Sequence, residues 1–196
     1  LTEASTLFWL PTEYASAKMG SVGKPVFHGT VRIVNDEGGP VGPGEVGEII
    51  VSGPIVMNGY WRQPELTAEV IQDGWLRTGD LGRTDDEGFV YIIDRKKDMF
   101  ISGGENVYPA EVEKVLFGHS AVADAAVIGV ADEKWGEVGK AFVVLRQGHD
   151  ADAPTLMGHL SRALAKYKVP KYVEFVDSLP KTASGKVLKR LLKTKR

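Results

Sequence analysis

Apolar and polar residues alternate in short stretches over the first half of the chain and fall at helical spacing over much of the second. Val31 and Ile33 alternate with polar neighbours ahead of Asn35-Asp36-Glu37-Gly38-Gly39-Pro40, a dense run of turn residues. A second strand, Glu48-Ile49-Ile50-Val51, follows the glycine-rich segment Gly42 to Gly47. Pro64 stands at the first position of a short predicted helix, PELTAEVI, with Asp73-Gly74 as its stop. Trp75 to Asp80 and Phe89 to Asp94 predict further strands, with Asp85-Asp86-Glu87-Gly88 as a hairpin turn. This part is therefore expected to be mostly antiparallel β, a small barrel or a curled sheet.

The pattern changes after Asp94. Pro109 starts a helix to about Phe117, and Ala121 to Val130 and Lys140 to Leu145 predict strands. Leu156, Met157, Leu160, Ala163 and Leu164 share one helical face. Lys171 to Val176 predicts a short strand, and Val187, Leu188, Leu191 and Leu192 stripe a terminal helix. The change falls in the charge cluster Arg95 to Asp98, so the predicted fold is α+β, with a β-rich segment over residues 1–96 and an α+β domain over 97–196.

Composition narrows the class rather than the fold. The 196 residues are 43% hydrophobic and 26% charged with a net charge of −2, an ordinary globular balance. No apolar run approaches the ~20 residues that span a bilayer, and the start lacks a signal-peptide pattern. Cysteine is absent, which excludes disulfides, thiolate metal sites and thiol nucleophiles and makes the cytoplasm the expected compartment. Small molecules rather than nucleic acid are the expected partners. The stretch Lys181 to Arg196 is basic with no acidic residue, which fits a solvated helix face or an anion site equally. The opening Leu1-Thr2-Glu3 has no methionine, as though cut from a longer sequence.

Several motifs invite a chemical reading. Gly42-Pro43-Gly44-Glu45-Val46-Gly47 has dinucleotide-fingerprint spacing, but Pro43 sits inside it and a strand, not a helix, follows; it reads as a turn. Ser184-Gly185-Lys186 is no P-loop, because Pro180 and Val187 occupy the positions of the first glycine and the metal-binding hydroxyl. What remains is Lys186 on a flexible Thr-Ala-Ser-Gly loop, either a surface lysine or a cation carried to a phosphate. Asp80, after Arg77-Thr78-Gly79, is a turn aspartate or an acceptor for paired ribose hydroxyls. Gly103-Gly104, between Ser102 and Glu105, is a place where backbone can let another molecule come close. The four histidines, His28, His119, His149 and His159, have no metal-ligand spacing.

The order of these motifs is more specific than any one of them. Thr2-Glu3, GEIIVSGPIVMNGYW from Gly47, WLRTGD from Trp75, GFVYIIDRKKDMFISGGENVYPAEVE from Gly88 and PKTASGK from Pro180 follow in succession over essentially the whole chain. In this the sequence resembles the C-terminal part of the adenylate-forming enzymes, and among them the AMP-forming acyl-CoA synthetases. The resemblance implies that carboxylic acid and ATP·Mg2+ give an acyl-adenylate, from which coenzyme A displaces AMP. It implies Thr2 at the α-phosphate, Glu3 on Mg2+, Asp80 and Arg95 on the ribose, and Lys186 as the mobile lysine bridging carboxylate and α-phosphate. Lys97 falls at the hinge, and Gly103 and Gly104 beside the pantetheine arm. A cation between two approaching anions stabilises the transition state, and a lid serving both half-reactions needs a pivot. The wording DRKKDMFISGGENVYP looks closer to fatty-acyl, aryl or succinylbenzoate CoA ligases than to amino-acid-activating domains. A medium- or long-chain fatty acid is expected, with an aryl or succinylbenzoate acid, or a non-catalytic nucleotide- or CoA-binding module, as alternatives. The family's phosphate loop and adenine pocket are expected upstream, so the 196 residues alone are expected not to turn over.

Overall fold

A computed structural model describes residues 1–193 of the chain; the last three positions of the basic tail lie outside the described residues. The chain forms two compact units, Leu1–Lys96 and Lys97–Arg196.

In the first unit a two-stranded ribbon, β1 (Phe8–Trp9) and β2 (Lys24–Pro25), accompanies a five-stranded sheet. The sheet comprises β3 (Thr30–Val34), β4 (Gly47–Ser52), β5 (Ile71–Gln72), β6 (Trp75–Thr84) and β7 (Val90–Arg95), with a short helix, α1 (Pro64–Val70), before β5. Every pairing is antiparallel, in the order β3-β4-β6, with β5 and β7 both along the far side of β6. The sheet is open rather than a closed barrel. Ile33, Ile49, Val51, Leu76 and Val90 bury one continuous core with Ala4 and Leu7.

Two local readings change here. Asp73-Gly74 does not stop the helix, which ends at Val70. With φ of 50° and 78°, and Gln72 paired to Trp75, the dipeptide is a two-residue hairpin turn of the type that needs positive φ at both positions. The strand from Trp75 also runs on to Thr84 instead of ending at Asp80. Between the pairs Ile50–Arg77 and Glu48–Leu81, β6 sets Thr78, Gly79 and Asp80 against the single residue Ile49. Asp80 therefore sits on a bulge, a device that re-aims side chains within a sheet.

The second unit is built on the sheet of β8 (Phe100–Ser102), β9 (Glu105–Val107), β10 (Val122–Asp132), β11 (Gly136–Leu145) and β12 (Tyr172–Phe175). β10 and β11 form a long hairpin, and β12 joins β11 in parallel after the crossover helix α3 (Ala153–Ala163). Alternation along β10 divides its side chains between two cores. Ala125 and Val127 pack with α2 (Pro109–Phe117) and α3 through Val112, Leu116, Leu156 and Leu160. Ala126 and Ile128 face Leu179 and Leu192 on the other side. Leu192 comes from α4 (Lys189–Lys193), whose expected stripe is only partly buried: Leu191 points to solvent at 43% exposure. Ala163 is likewise exposed at the end of α3, where only Leu156 and Leu160 are fully buried. No described helix is long and apolar enough to cross a membrane.

Candidate functional site

In the first unit the register of β6 and β7 places Asp80 directly opposite Arg95, and Arg95 Nε lies 2.9 Å from Asp80 Oδ1. Both side chains remain partly open to solvent. The bulge that carries Asp80 is held from beneath. Thr78 donates its hydroxyl to Ile49 O at 2.7 Å and accepts Asp80 N–H at 3.1 Å. Gly79, at φ 69°, donates its N–H to a carboxylate oxygen of Glu48 at 3.3 Å. That Glu48 carboxylate is only 6% exposed, and its other oxygen receives Arg77 Nη1 and Lys96 Nζ, each at 3.1 Å. A buried carboxylate satisfied by two cations and a backbone N–H is a rigid support. Sequence reasoning missed Glu48, which reads locally as one more polar residue in a strand.

Lys96 closes this unit. Its backbone N–H bonds Gly79 O at 2.8 Å, and its ammonium also reaches Asp36 at 2.7 Å. Asp36 raises the Lys96 pKa, and Glu48 adds to the effect against the cost of burial. Lys97, the next residue and the expected pivot, is exposed.

Thr2 and Glu3 form a single helical turn, Thr2–Ala4, near the start of the chain. Thr2 is exposed. Glu3 O accepts Met57 N–H at 2.8 Å, and its carboxylate Oε1 accepts the Tyr60 hydroxyl at 3.0 Å. Burial, then the hydrogen bond to Glu3, pushes the Tyr60 phenol up, so it keeps its proton and donates. No group of three or more acidic, histidine or cysteine residues suited to a metal occurs among the described residues. Glu3 is thus a single hard oxygen donor, which suits Mg2+ that takes most of its ligands from phosphate and water.

In the second unit Gly103-Gly104 is not an open loop. Ser102 pairs with Glu105, and φ values of 61° and 88° make the glycines a two-residue hairpin turn between β8 and β9. Gly103 donates its N–H to Trp135 O at 2.9 Å. A Cβ on Gly103 would lie 2.8 Å from the Trp135 ring, whereas one on Gly104 would meet nothing within 4 Å. Trp135 also lines a cavity of about 340 Å3 with Ser102, Lys166, Tyr167 and Lys171. These lining residues are scattered over the sequence, and nothing in the local pattern marks them as a group.

Lys186 stands on a closed turn. Lys181 pairs with Val187 across a closed turn in which Thr182 N–H bonds Lys186 O at 2.8 Å and Gly185 N–H bonds Thr182 O at 2.9 Å. The Thr182 hydroxyl oxygen accepts Lys186 N–H at 3.1 Å. Lys186 is exposed, and among the described residues its ammonium has no carboxylate partner. The structure therefore pairs Asp80 with Arg95, ties Glu3 to Tyr60, and presents Lys186 and the glycine pair on separate tight turns.

Comparison with known proteins follows the same two segments. Residues 1–61 match the model for AMP-binding enzymes, and residues 111–186 match that for the AMP-binding enzyme C-terminal domain. Feruloyl-CoA synthase of an Amycolatopsis species is 53% identical over 96% of the chain, and 2-succinylbenzoate–CoA ligase of Geobacillus kaustophilus is 50% identical over 97%. The chain spans 39% of the length of each of these relatives. The o-succinylbenzoate CoA synthetase of Bacillus subtilis, solved with its acyl-adenylate, superposes with a TM-score of 0.93 at 46% identity over 100% of this chain and 40% of that one. The same enzyme has been solved with ATP and magnesium ion. With two family models in their own order and such identity along nearly its whole length, the chain belongs to the AMP-binding, adenylate-forming enzyme family.

Proposed function

We propose that the chain is the C-terminal part of an AMP-forming CoA ligase whose acid is aromatic rather than the fatty acid expected from sequence. The observation that carries this reading is the match along nearly the whole chain to ligases named for feruloyl and succinylbenzoyl groups. In the first half-reaction a carboxylate oxygen bonds to the α-phosphorus of ATP and pyrophosphate leaves. In the second, the thiol of coenzyme A bonds to the acyl carbon, AMP leaves, and the thiol proton passes to solvent.

Each side chain has a task that its surroundings suit. Asp80, paired with Arg95, accepts ribose hydroxyls, and the remaining guanidinium donors share them. Thr2 meets the α-phosphate. Glu3, oriented by Tyr60, holds Mg2+, which when bound would offset charge on the phosphates. Lys186 bridges carboxylate and α-phosphate as an unpaired cation where negative charge accumulates. Lys97 is the pivot directly after the anchored Lys96. For the thioester step, Gly103-Gly104 borders the pantetheine path. The adjoining cavity, with Trp135, Tyr167, Lys166 and Lys171, suits the phosphorylated nucleotide of coenzyme A through ring stacking and cationic contacts.

The test is pyrophosphate release and thioester formation by the full-length polypeptide carrying this segment. Ferulate, succinylbenzoate and benzoate would be compared with octanoate and palmitate. At least one aromatic acid is expected to exceed the fatty acids by about tenfold or more in kcat/KM. Preference for the fatty acids would restore the earlier expectation. Binding of ATP and CoA with no turnover of any acid would point to a non-catalytic module.

A further inference from the structure

Three lysines lie within nine residues around the terminal turn: Lys181, Lys186 and Lys189. The outer two are neutralised by carboxylates from different elements. Lys181 Nζ lies 2.5 Å from Asp124 on β10, and Lys189 Nζ lies 2.8 Å from Glu113 on α2. The Glu113–Lys189 pair is largely buried, and Glu113 also accepts Val127 N–H at 2.8 Å. Leu188 N–H bonds Pro180 O at 2.8 Å, closing the stem of the turn between the two ion pairs.

We propose that Glu113 and Asp124 are positioning residues for Lys186, clamping both feet of its turn and cancelling the two neighbouring charges. The proposal rests on the reading of Lys186 as the lysine of the adenylation step. Its physical content is twofold. A cluster of three free ammonium groups would repel one another and offer an anion three positions, whereas the pairing leaves one. A turn tied on each side to the sheet and to α2 delivers that one cation within a narrow range, and misplacement of about 1 Å can cost about 100-fold in rate. Folding does not depend on the pairs alone, because Leu179 and Leu192 bury the flanking segments against Ala126, Ile128 and Phe142.

The experiment uses the full-length polypeptide and measures the half-reactions separately: acid-dependent pyrophosphate exchange, and thioester formation from supplied acyl-adenylate and coenzyme A. Glu113→Gln and Lys189→Met are expected to slow adenylation about 10- to 100-fold in kcat and to leave thioester formation within about twofold. Lys189→Arg, which can keep the ion pair, is expected to recover most of the rate lost in Lys189→Met. Lys181→Met is expected to show the same selectivity with a smaller loss, since its pair is more exposed. An equal fall in both half-reactions would assign these residues to general stability and overturn the proposal. So would unchanged adenylation in Glu113→Gln and Lys189→Met alongside a Lys186→Ala variant that has lost it. Intact adenylation in Lys186→Ala would instead remove the reading on which the proposal rests.

Discussion

The two units hold their chemistry-bearing residues by different means. In the first, Asp80 and Arg95 face each other because adjacent strands are in register, and the buried Glu48 supports the bulge below them. In the second, Gly103-Gly104 and Lys186 stand on tight turns whose shape depends on positive-φ glycines and, for Lys186, on ion pairs at both feet. A site on paired strands keeps its backbone when a side chain is removed, so substitution there subtracts a chemical group. A site on a tight turn is its backbone, so substitution there moves everything the turn presents. The charges differ in the same way. Asp80 and Arg95 neutralise each other and suit hydroxyls, while Lys186, with no carboxylate partner among the described residues, suits an anion.

The sharpest way to break this contrast is at the glycine pair. Gly103→Val combines a left-handed φ with a Cβ pressed to 2.8 Å from the Trp135 ring, and should cost about 2–4 kcal/mol in the stability of the second unit. Gly104→Ala meets open space and pays only the φ strain, about 1 kcal/mol. Denaturant melts of both variants test this, and equal losses would show that contact with Trp135 does not constrain the turn. Gly103→Val should also depress thioester formation more than adenylation. Next in size is the strand-borne pair. Arg95→Ala should raise the KM for ATP about tenfold, with little change in the melting curve, because the register of β6 and β7 stands without it. Arg95→Lys should recover only part of that loss, since an ammonium cannot present the guanidinium fork. A large stability loss in Arg95→Ala would place the pair among structural ion pairs.

Much of this division is legible in the sequence. Pro109 opens α2, and the expected bounds of that helix match the structure because proline at the first turn is a local signal. The two-residue turns are less plain. Asp73-Gly74 between Ile-Gln and Trp-Leu, and Gly103-Gly104 between Phe-Ile-Ser and Glu-Asn-Val, both carry hairpin chemistry, and the strands are too short to announce themselves by alternation. Glu48, Trp135, Glu113 and Asp124 were not legible. The contacts that matter here reach from 14 residues away, between Glu113 and Val127, to 76, between Glu113 and Lys189, and only tertiary packing brings such groups together. The exposed Leu191 shows the converse, a helical stripe that packs only where α4 meets the sheet.

The smallest expected effects separate two carboxylates that share one lysine. Lys96 Nζ contacts Glu48 at 3.1 Å and Asp36 at 2.7 Å, so distance alone ranks Asp36 first. Burial reverses the order, because Glu48 is 6% exposed and Asp36 is 88% exposed. Glu48→Gln keeps an acceptor for Gly79 but leaves Arg77 and Lys96 without their shared charge, and should cost about 1–3 kcal/mol. Asp36→Asn should cost no more than about 0.5 kcal/mol, since solvent screens an exposed pair. The pH dependence of that small term has a definite sign. Lys96 lowers the Asp36 pKa, so the contribution is present above the unfolded carboxylate value of about 3.9 and fades as pH falls through the folded value. Asp36 in turn raises the Lys96 pKa, so the contribution is also present below about 10.4 and fades as pH rises further. The stability difference between the native chain and Asp36→Asn should therefore be flat from about pH 5 to 9 and close toward zero in acid. A cost for Asp36→Asn that equals the cost for Glu48→Gln would mean that contact distance, not burial, decides how Lys96 is anchored ahead of Lys97.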